Sequence, residues 1–131
     1  MCIELANERC EKDSHIVDVG SALGHTIEKF TDAGFINVSG VESSKDMIDR
    51  SAFASCITLS ETFPYHWNTN FVIANWTLHF INDRKQYIQD IFTSLSLNGT
   101  VVITDKTQQS EVIKKLYYDF KRANGITDEY I

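Results

Sequence analysis

Two glycines four residues apart, Gly20 and Gly24, separate a short apolar run from a segment with helical periodicity. Residues 15–19 are typical of a buried strand, and residues 25–33 repeat their apolar positions at helical spacing. A glycine at such a turn lets the backbone approach a ligand closely and adopt dihedral angles that a Cβ atom forbids. The helix that follows presents free N–H groups and the positive end of its dipole. This order predicts a site for a nucleotide-like cofactor, although similar turns in α/β proteins often bind nothing.

A carboxylate follows the second apolar run at a distance that suits the same ligand. Residues 36–41 predict a second strand, and Glu42 comes directly after it, 22 residues beyond Gly20. A carboxylate there can accept hydrogen bonds from both hydroxyls of a ribose. A lone glutamate after a strand can equally be a solvated loop residue. The loop lacks the third glycine of the dinucleotide fingerprint, which makes a nicotinamide cofactor the weaker prediction.

Other polar or sulfur-containing side chains follow the predicted strands at the same edge. The amide of Asn75 can donate to a carbonyl and accept from an amine, which suits an amino-acid moiety. Met47 can cover the face of a base or simply pack its helix, and His79 can be a general base or a packed residue. The candidates at the strand ends are Gly20, Ser21, Ala22, Glu42, Ser43, Ser60, Glu61, Asn75, Trp76 and His79.

Strands and helices alternate along the whole chain. Strands are predicted at residues 15–19, 36–41, 56–59, 71–74 and 100–104. Helices are predicted at residues 2–11, 25–33, 44–53 and 84–96, with a last helix capped by Ser110. This alternation predicts a single α/β domain over residues 1–131 with a Rossmann-like, doubly wound fold. Its mainly parallel five-stranded sheet has the order 3-2-1-4-5, with helices on both faces and the ligand at the switch point between strands one and four.

Composition and charge exclude several classes of partner. The chain has 131 residues, 43% of them apolar, a net charge of −6 and a pI of about 5.1. This acidity argues against direct nucleic-acid binding and against an anionic membrane surface. The chain shows no signal peptide and no apolar run near the roughly 20 residues of a membrane helix. The three cysteines read as reduced thiols, and the four histidines lack metal-ligand spacing. We expect a soluble, cytoplasmic protein that acts on a small molecule and holds no metal.

The predicted fifth strand raises the question of self-association. Residues 100–104 would form a bare Val-Val-Ile edge if no later strand covers them, and such an edge is prone to pairing. The last helix adds aromatic surface through Tyr117, Tyr118 and Phe120. We therefore expect a homodimer.

Asp18-x-Gly20, Glu42 and Asn75 together resemble the class I S-adenosylmethionine-dependent methyltransferases. Residues 18–24, 44–50, 75–80 and 119–125 are similar to the carboxy-S-adenosylmethionine synthase branch. That branch carboxylates S-adenosylmethionine with prephenate, for modification of the tRNA wobble uridine. The resemblance implies S-adenosylmethionine as cofactor and transfer of a one-carbon group to a small molecule. Two alternatives stay open: a carboxy-S-adenosylmethionine synthase relative acting on prephenate, and an inactive cofactor-binding or interaction module.

The resemblance also implies roles for single residues. Glu42 would hold the ribose, Asn75 would face the methionine end, and Met47 would flank the adenine. The family tends to place an aspartate after strand three, where this chain has Ser60 followed by Glu61. The cofactor-binding residues implied are Asp18, Gly20, Ser21, Ala22, Gly24, Glu42, Ser43, Met47, Ser60, Glu61 and Asn75.

No catalytic residue is assigned, because methyl transfer mainly requires alignment of the reacting atoms. The resemblance implies a chain truncated at both ends. It would lack the family's N-terminal segment and an arginine that grips the extra carboxylate. We therefore expect carboxy-S-adenosylmethionine synthesis by residues 1–131 to be inefficient.

Overall fold

A computed structural model describes residues 2–75, 77–104, 115–117 and 119–120 of the chain. The helices are α1 (Cys2–Arg9), α2 (His25–Asp32), α3 (Lys45–Asp49) and α4 (Arg84–Ser94). The strands are β1 (Ile16–Val19), β2 (Val38–Glu42), β3 (Ile57–Leu59), β4 (Thr69–Asn75) and β5 (Leu95–Thr104). Short 3₁₀ turns lie at Ala54–Cys56 and Leu78–Phe80. Residues 115–117 and 119–120, within the predicted last helix, are helical.

The five strands form one parallel sheet with the order β3-β2-β1-β4-β5. In the centre of the sheet, Val19 lies opposite Val41 on one side and Ala74 on the other. The chain leaves β1 toward β2 and β3, then crosses back to place β4 on the other side of β1. This reversal is the switch point, and it confirms the predicted Rossmann-like fold and strand order.

Alternate residues of the central strands bury two separate cores, which confirms helices on both faces. On one face the sheet packs against α4, and on the other against α1 and α2. Both sets are almost fully buried, as expected of parallel strands covered on each side. The first core includes Val17, Val19, Val72, Ala74, Ile88, Ile91 and Phe92. The second includes Ala6, Ile16, Phe30, Phe35, Phe71 and Ile73.

The predicted helix at residues 44–53 is shorter in the structure, because α3 ends at Asp49. Just after it, the Ser51 hydroxyl donates to the Leu23 carbonyl at 2.7 Å and accepts from the Phe53 amide at 3.0 Å. These long-range and local bonds turn the chain toward the glycine loop and replace further helical bonds. A hydroxyl that competes for backbone groups commonly ends a helix in this way.

The boundary between α4 and β5 also differs from the prediction. The helix stops at Ser94, and the strand begins at Leu95 rather than at residue 100. Leu95 pairs with Thr69 and Thr100 pairs with Phe71, so extra residues of β5 bulge out between the two pairs. The buried hydroxyls of Thr69 and Ser94, 2.8 Å apart, hold the helix-to-strand turn against β4. The local sequence pattern could not predict this contact, because Thr69 and Ser94 are 25 residues apart.

β5 occupies one end of the strand order. The predicted homodimer through this edge stays a prediction, as do the boundaries of a single domain at residues 1–131. Within the part of the chain that the structure describes, no helix is both long and apolar enough to cross a membrane.

Candidate functional site

The loop after β1 has the conformation that its glycines predict. Gly20, Ala22 and Gly24 all have positive φ angles, of 70°, 49° and 88°. The Gly20 amide donates to the Val41 carbonyl at 2.8 Å, which ties the loop to β2. A Cβ atom at Gly20 would lie 2.2 Å from Oγ1 of Thr77, just after β4. Only glycine therefore fits where the loop passes the end of β4.

Glu42, the last residue of β2, links this loop to the start of α3. Its Oε1 accepts a hydrogen bond from the Ala22 amide at 2.8 Å, and its Oε2 accepts from the Ser44 amide at 3.0 Å. The Ser44 hydroxyl in turn caps α3 by accepting from the Met47 amide at 3.3 Å. Each carboxylate oxygen can accept a second hydrogen bond, so Glu42 keeps acceptor capacity for a ligand.

A cavity of about 560 Å³ opens beside Glu42, at the carboxyl ends of the strands. One wall comes from the ends of β1, β2 and β3, and the other from the segment after β4 and from α4. The lining residues are Val19, Gly20, Val41, Glu42, Ser43, Ser60, Glu61, Thr62, Thr77, Phe80, Ile81, Asn82, Asp83, Gln86, Tyr87 and Asp90. The cavity therefore lies where doubly wound folds bind ligands.

The structure brings five of the sequence-predicted residues into the cavity wall: Gly20, Glu42, Ser43, Ser60 and Glu61. The Ser60 hydroxyl donates to the Thr62 carbonyl at 2.7 Å, so its proton is already engaged. Ser60 thus offers mainly acceptor capacity to a ligand.

The other predicted residues lie outside the cavity wall. Ser21 is buried below the loop, and its hydroxyl donates to the Asp18 carbonyl at 2.8 Å. Asn75 is exposed at the end of β4, and Met47 is half-buried on α3. Ala22 contacts the site through Glu42, and Gly24 precedes α2. Their ligand roles stay predictions, and Trp76 and the His79 side chain lie outside the described part.

The carboxyl group of Asp18 is buried beneath the loop, with only 5% of the residue exposed. Burial raises the pKa of Asp18 to about 7. The Ser21 hydroxyl opposes this rise in pKa, and the nearby Glu42 carboxylate adds to it. Because a buried charge is costly, the folded protein favours the protonated form of Asp18.

This pKa predicts that the protein loses stability as the pH rises from about 4 to about 7. Between these pH values the folded state binds more protons than the unfolded state. The stabilisation from protonated Asp18 is therefore fully present below about pH 4 and lost above about pH 7. Asp18→Asn should flatten the profile of unfolding free energy and stabilise the protein near pH 8 by about 4 kcal/mol. Urea denaturation across this range measures the effect, with the exposed Asp32→Asn as control. Parallel profiles for wild type and Asp18→Asn would contradict the assignment.

Sequence reasoning missed the wall that α4 supplies. Asp83, Gln86, Tyr87 and Asp90 recur at helical spacing and line one side of the cavity. In the sequence, Tyr87 occupies a position that is typical of the apolar stripe of a helix packed on a sheet. It both lines the cavity and packs in the core, since its ring packs edge-on against Phe63, with centroids 5.8 Å apart. The sequence signal for this wall was the polar residues Asp83, Gln86 and Asp90, which share one helix face with Tyr87.

The cavity wall is acidic. Four carboxylates line it, from Glu42, Glu61, Asp83 and Asp90, and none of the described lining residues is lysine, arginine or histidine. Asp83 also caps α4 by accepting from the Gln86 amide at 3.2 Å. The arrangement suits hydroxyl, amine or cationic groups and offers no described cationic partner to an anion.

The parallel sheet, its switch point and the glycine loop define a Rossmann-like α/β protein with a cavity at the switch point. A family model described as a methyltransferase domain matches residues 3–127, and the chain belongs to this family. Its membership confirms the resemblance to class I S-adenosylmethionine-dependent methyltransferases, and with it the cofactor predicted for the class.

Individual relatives agree with this family. The chain is 27% identical over 146 residues to a carboxy-S-adenosyl-L-methionine synthase of Shewanella woodyi, an alignment covering 95% of this chain and 60% of the relative. This chain thus spans about 60% of the length of that curated relative.

Two solved structures share the fold. The sugar N-methyltransferase KedS8 from a Streptoalloteichus species has a TM-score of 0.68 and 17% identity, over 80% of this chain and 46% of that one. An S-adenosylmethionine dependent methyltransferase from Mesorhizobium loti has a TM-score of 0.56 and 18% identity, over 71% of this chain and 48% of that one.

Proposed function

We propose that this chain binds S-adenosylmethionine in the cavity and transfers its methyl group to a small molecule. The observation that carries the proposal is Glu42, which faces the cavity beside Gly20 with acceptor capacity left on both oxygens. A vicinal pair of ribose hydroxyls needs such a pair of acceptors.

The residues around Glu42 fit the remaining parts of the cofactor. Gly20 lines the cavity at the end of β1, so the methionine part lies toward Gly20. The base then lies on the other side of Glu42, toward Ser60. When bound, S-adenosylmethionine supplies a methyl carbon activated by the adjacent sulfonium. The chain's own contribution is to bind and orient the reactants, which methyl transfer chiefly requires.

The carboxy-S-adenosyl-L-methionine synthase relative supports a second candidate function, carboxyl transfer from prephenate. A link to tRNA modification belongs to this alternative. Prephenate carries two carboxylates, and the described cavity wall offers no cationic side chain to pair with them. Methyl transfer to a neutral or cationic acceptor therefore has the better electrostatic support. An inactive binding module would keep the cofactor affinity without turnover.

Cofactor binding should raise thermal stability, because a ligand that binds only the folded state shifts the unfolding equilibrium. We expect the melting temperature to rise with the concentration of S-adenosylmethionine or S-adenosylhomocysteine. A ligand at about 100 times its Kd should add about 2.7 kcal/mol. Adenosine and methionine given separately serve as controls for the two halves of the site. A flat titration with both cofactor forms would refute the proposed function.

A further inference from the structure

The side chain of Tyr87 lies in the cavity wall and is only 5% exposed. Its ring is held by the contact with Phe63, yet its hydroxyl makes no hydrogen bond with any residue that the structure describes. Buried hydroxyls are nearly always paired, because leaving one unpaired costs its full desolvation. A ligand in the cavity can supply the partner.

Two carboxylates line the same cavity as this hydroxyl. Burial raises the pKa of Tyr87 well above its ordinary value, and the Glu42 and Asp90 carboxylates raise it further. Both carboxylates line the cavity, one from the end of β2 and the other from α4. Since Tyr87 itself lines the cavity with both carboxylates, its hydroxyl faces the same space. The raised pKa keeps the proton on this hydroxyl at neutral pH, so it is a hydrogen-bond donor.

The order of the strands places a nucleobase near this hydroxyl. The ends of β1, β2 and β3 are neighbours along the sheet, spaced by about 4.8 Å. With the ribose at Glu42, as the proposed function has it, the base extends toward the end of β3 and lies under α4. There Ser60 already shares its hydroxyl proton with the Thr62 carbonyl. Asp90 accepts from the Gln86 side-chain amide at 2.9 Å through Oδ1, which leaves Oδ2 for a ligand.

On the basis of the proposed function, we propose that Tyr87 and Asp90 determine the specificity for adenine. The Asp90 carboxylate accepts a hydrogen bond from the exocyclic amino group, and the Tyr87 hydroxyl donates one to a ring nitrogen. The Gln86 amide holds the Asp90 carboxylate in place. Adenine recognition thus comes from α4 rather than from Ser60 and Glu61 at the end of β3.

The test compares S-adenosylhomocysteine with S-inosylhomocysteine, in which a carbonyl oxygen replaces the amino group. Calorimetry gives both Kd values for wild type, Asp90→Asn, Tyr87→Phe and Glu61→Gln, with the exposed Glu28→Gln on α2 as a matched control. Wild type should prefer the adenosyl compound by roughly tenfold or more, because the inosyl carbonyl would face the Asp90 carboxylate. Asp90→Asn should lose most of this preference, since an amide can donate to the carbonyl.

Tyr87→Phe separates binding from folding, because it removes only a hydroxyl that bonds to none of the described residues. Its melting temperature without ligand should equal or exceed that of wild type, while its affinity for S-adenosylhomocysteine falls roughly tenfold. An unchanged preference in Asp90→Asn, unchanged affinity in Tyr87→Phe, or loss of the preference in Glu61→Gln would each overturn the inference alone. A wild-type protein that binds neither compound would overturn the proposed function as well.

Discussion

Replacing Gly20 by alanine is expected to destabilise the protein by about 2–5 kcal/mol. Two costs combine at this position. The φ of 70° disfavours any residue with a Cβ atom. That Cβ would also lie 2.2 Å from Oγ1 and 2.7 Å from Cγ2 of Thr77. Since the threonine is β-branched and short, it cannot move aside without displacing the backbone after β4.

Gly34→Ala is the matched control for this prediction. Gly34 has a φ of 97°, but its new Cβ would meet only the flexible Lys12 side chain at 3.8 Å. This variant should show the backbone strain of about 1–3 kcal/mol without the clash. Urea denaturation of both variants and of Gly20→Ala/Thr77→Ala measures the coupling between the loop and β4. The prediction fails if Gly20→Ala is no less stable than Gly34→Ala, or if Thr77→Ala recovers nothing.

Replacing Glu42 by alanine is expected to weaken binding of S-adenosylhomocysteine by about 1–3 kcal/mol, or up to about a hundredfold in Kd. The ribose hydroxyls would lose a charged acceptor. The Ala22 and Ser44 amides would also lose the carboxylate that holds them at 2.8 and 3.0 Å, so the loop would be less well ordered for the ligand.

Glu42→Gln offers a finer comparison at the same position. Both carboxylate oxygens accept from backbone amides, so a glutamine can satisfy only one and turns its own NH₂ group toward the other. Its affinity should lie between those of alanine and wild type. Isothermal calorimetry measures all three, with Glu28→Ala as a control for loss of one negative charge. Wild-type affinity in Glu42→Ala would remove Glu42 from the site.

The order of the sheet and the glycine loop could be predicted because their signals are local. The segment from β1 to α2 combines an apolar run, two glycines and helical spacing within some twenty residues. Alternating strands and helices allow few arrangements once connections are short and right-handed. Glu42 was placed correctly at a strand end, although its bonds to Ala22 and Ser44 were not foreseen.

Boundaries were less predictable where distant residues decide them. The end of α3 depends on the Ser51 hydroxyl reaching Leu23 in the glycine loop. The start of β5 depends on the pairing of Leu95 with Thr69 on the neighbouring strand. Both partners lie too far along the chain for helical periodicity to detect them. The helix at α3 was therefore predicted four residues too long and that at α4 two residues too long.

By itself the sequence determined a Rossmann-like sheet of order 3-2-1-4-5, the glycine turn at Gly20 and the carboxylate of Glu42 at the end of the second strand. These follow from spacing along the chain, since adjacent residues carry the turn and the apolar pattern. Only the tertiary structure decided that α4 closes the cavity and that the Tyr87 hydroxyl, which bonds to none of the described residues, lies at its wall. The packing of a helix on the sheet decides which of its side chains face the core and which face the cavity. The sequence of α4 alone does not contain this information.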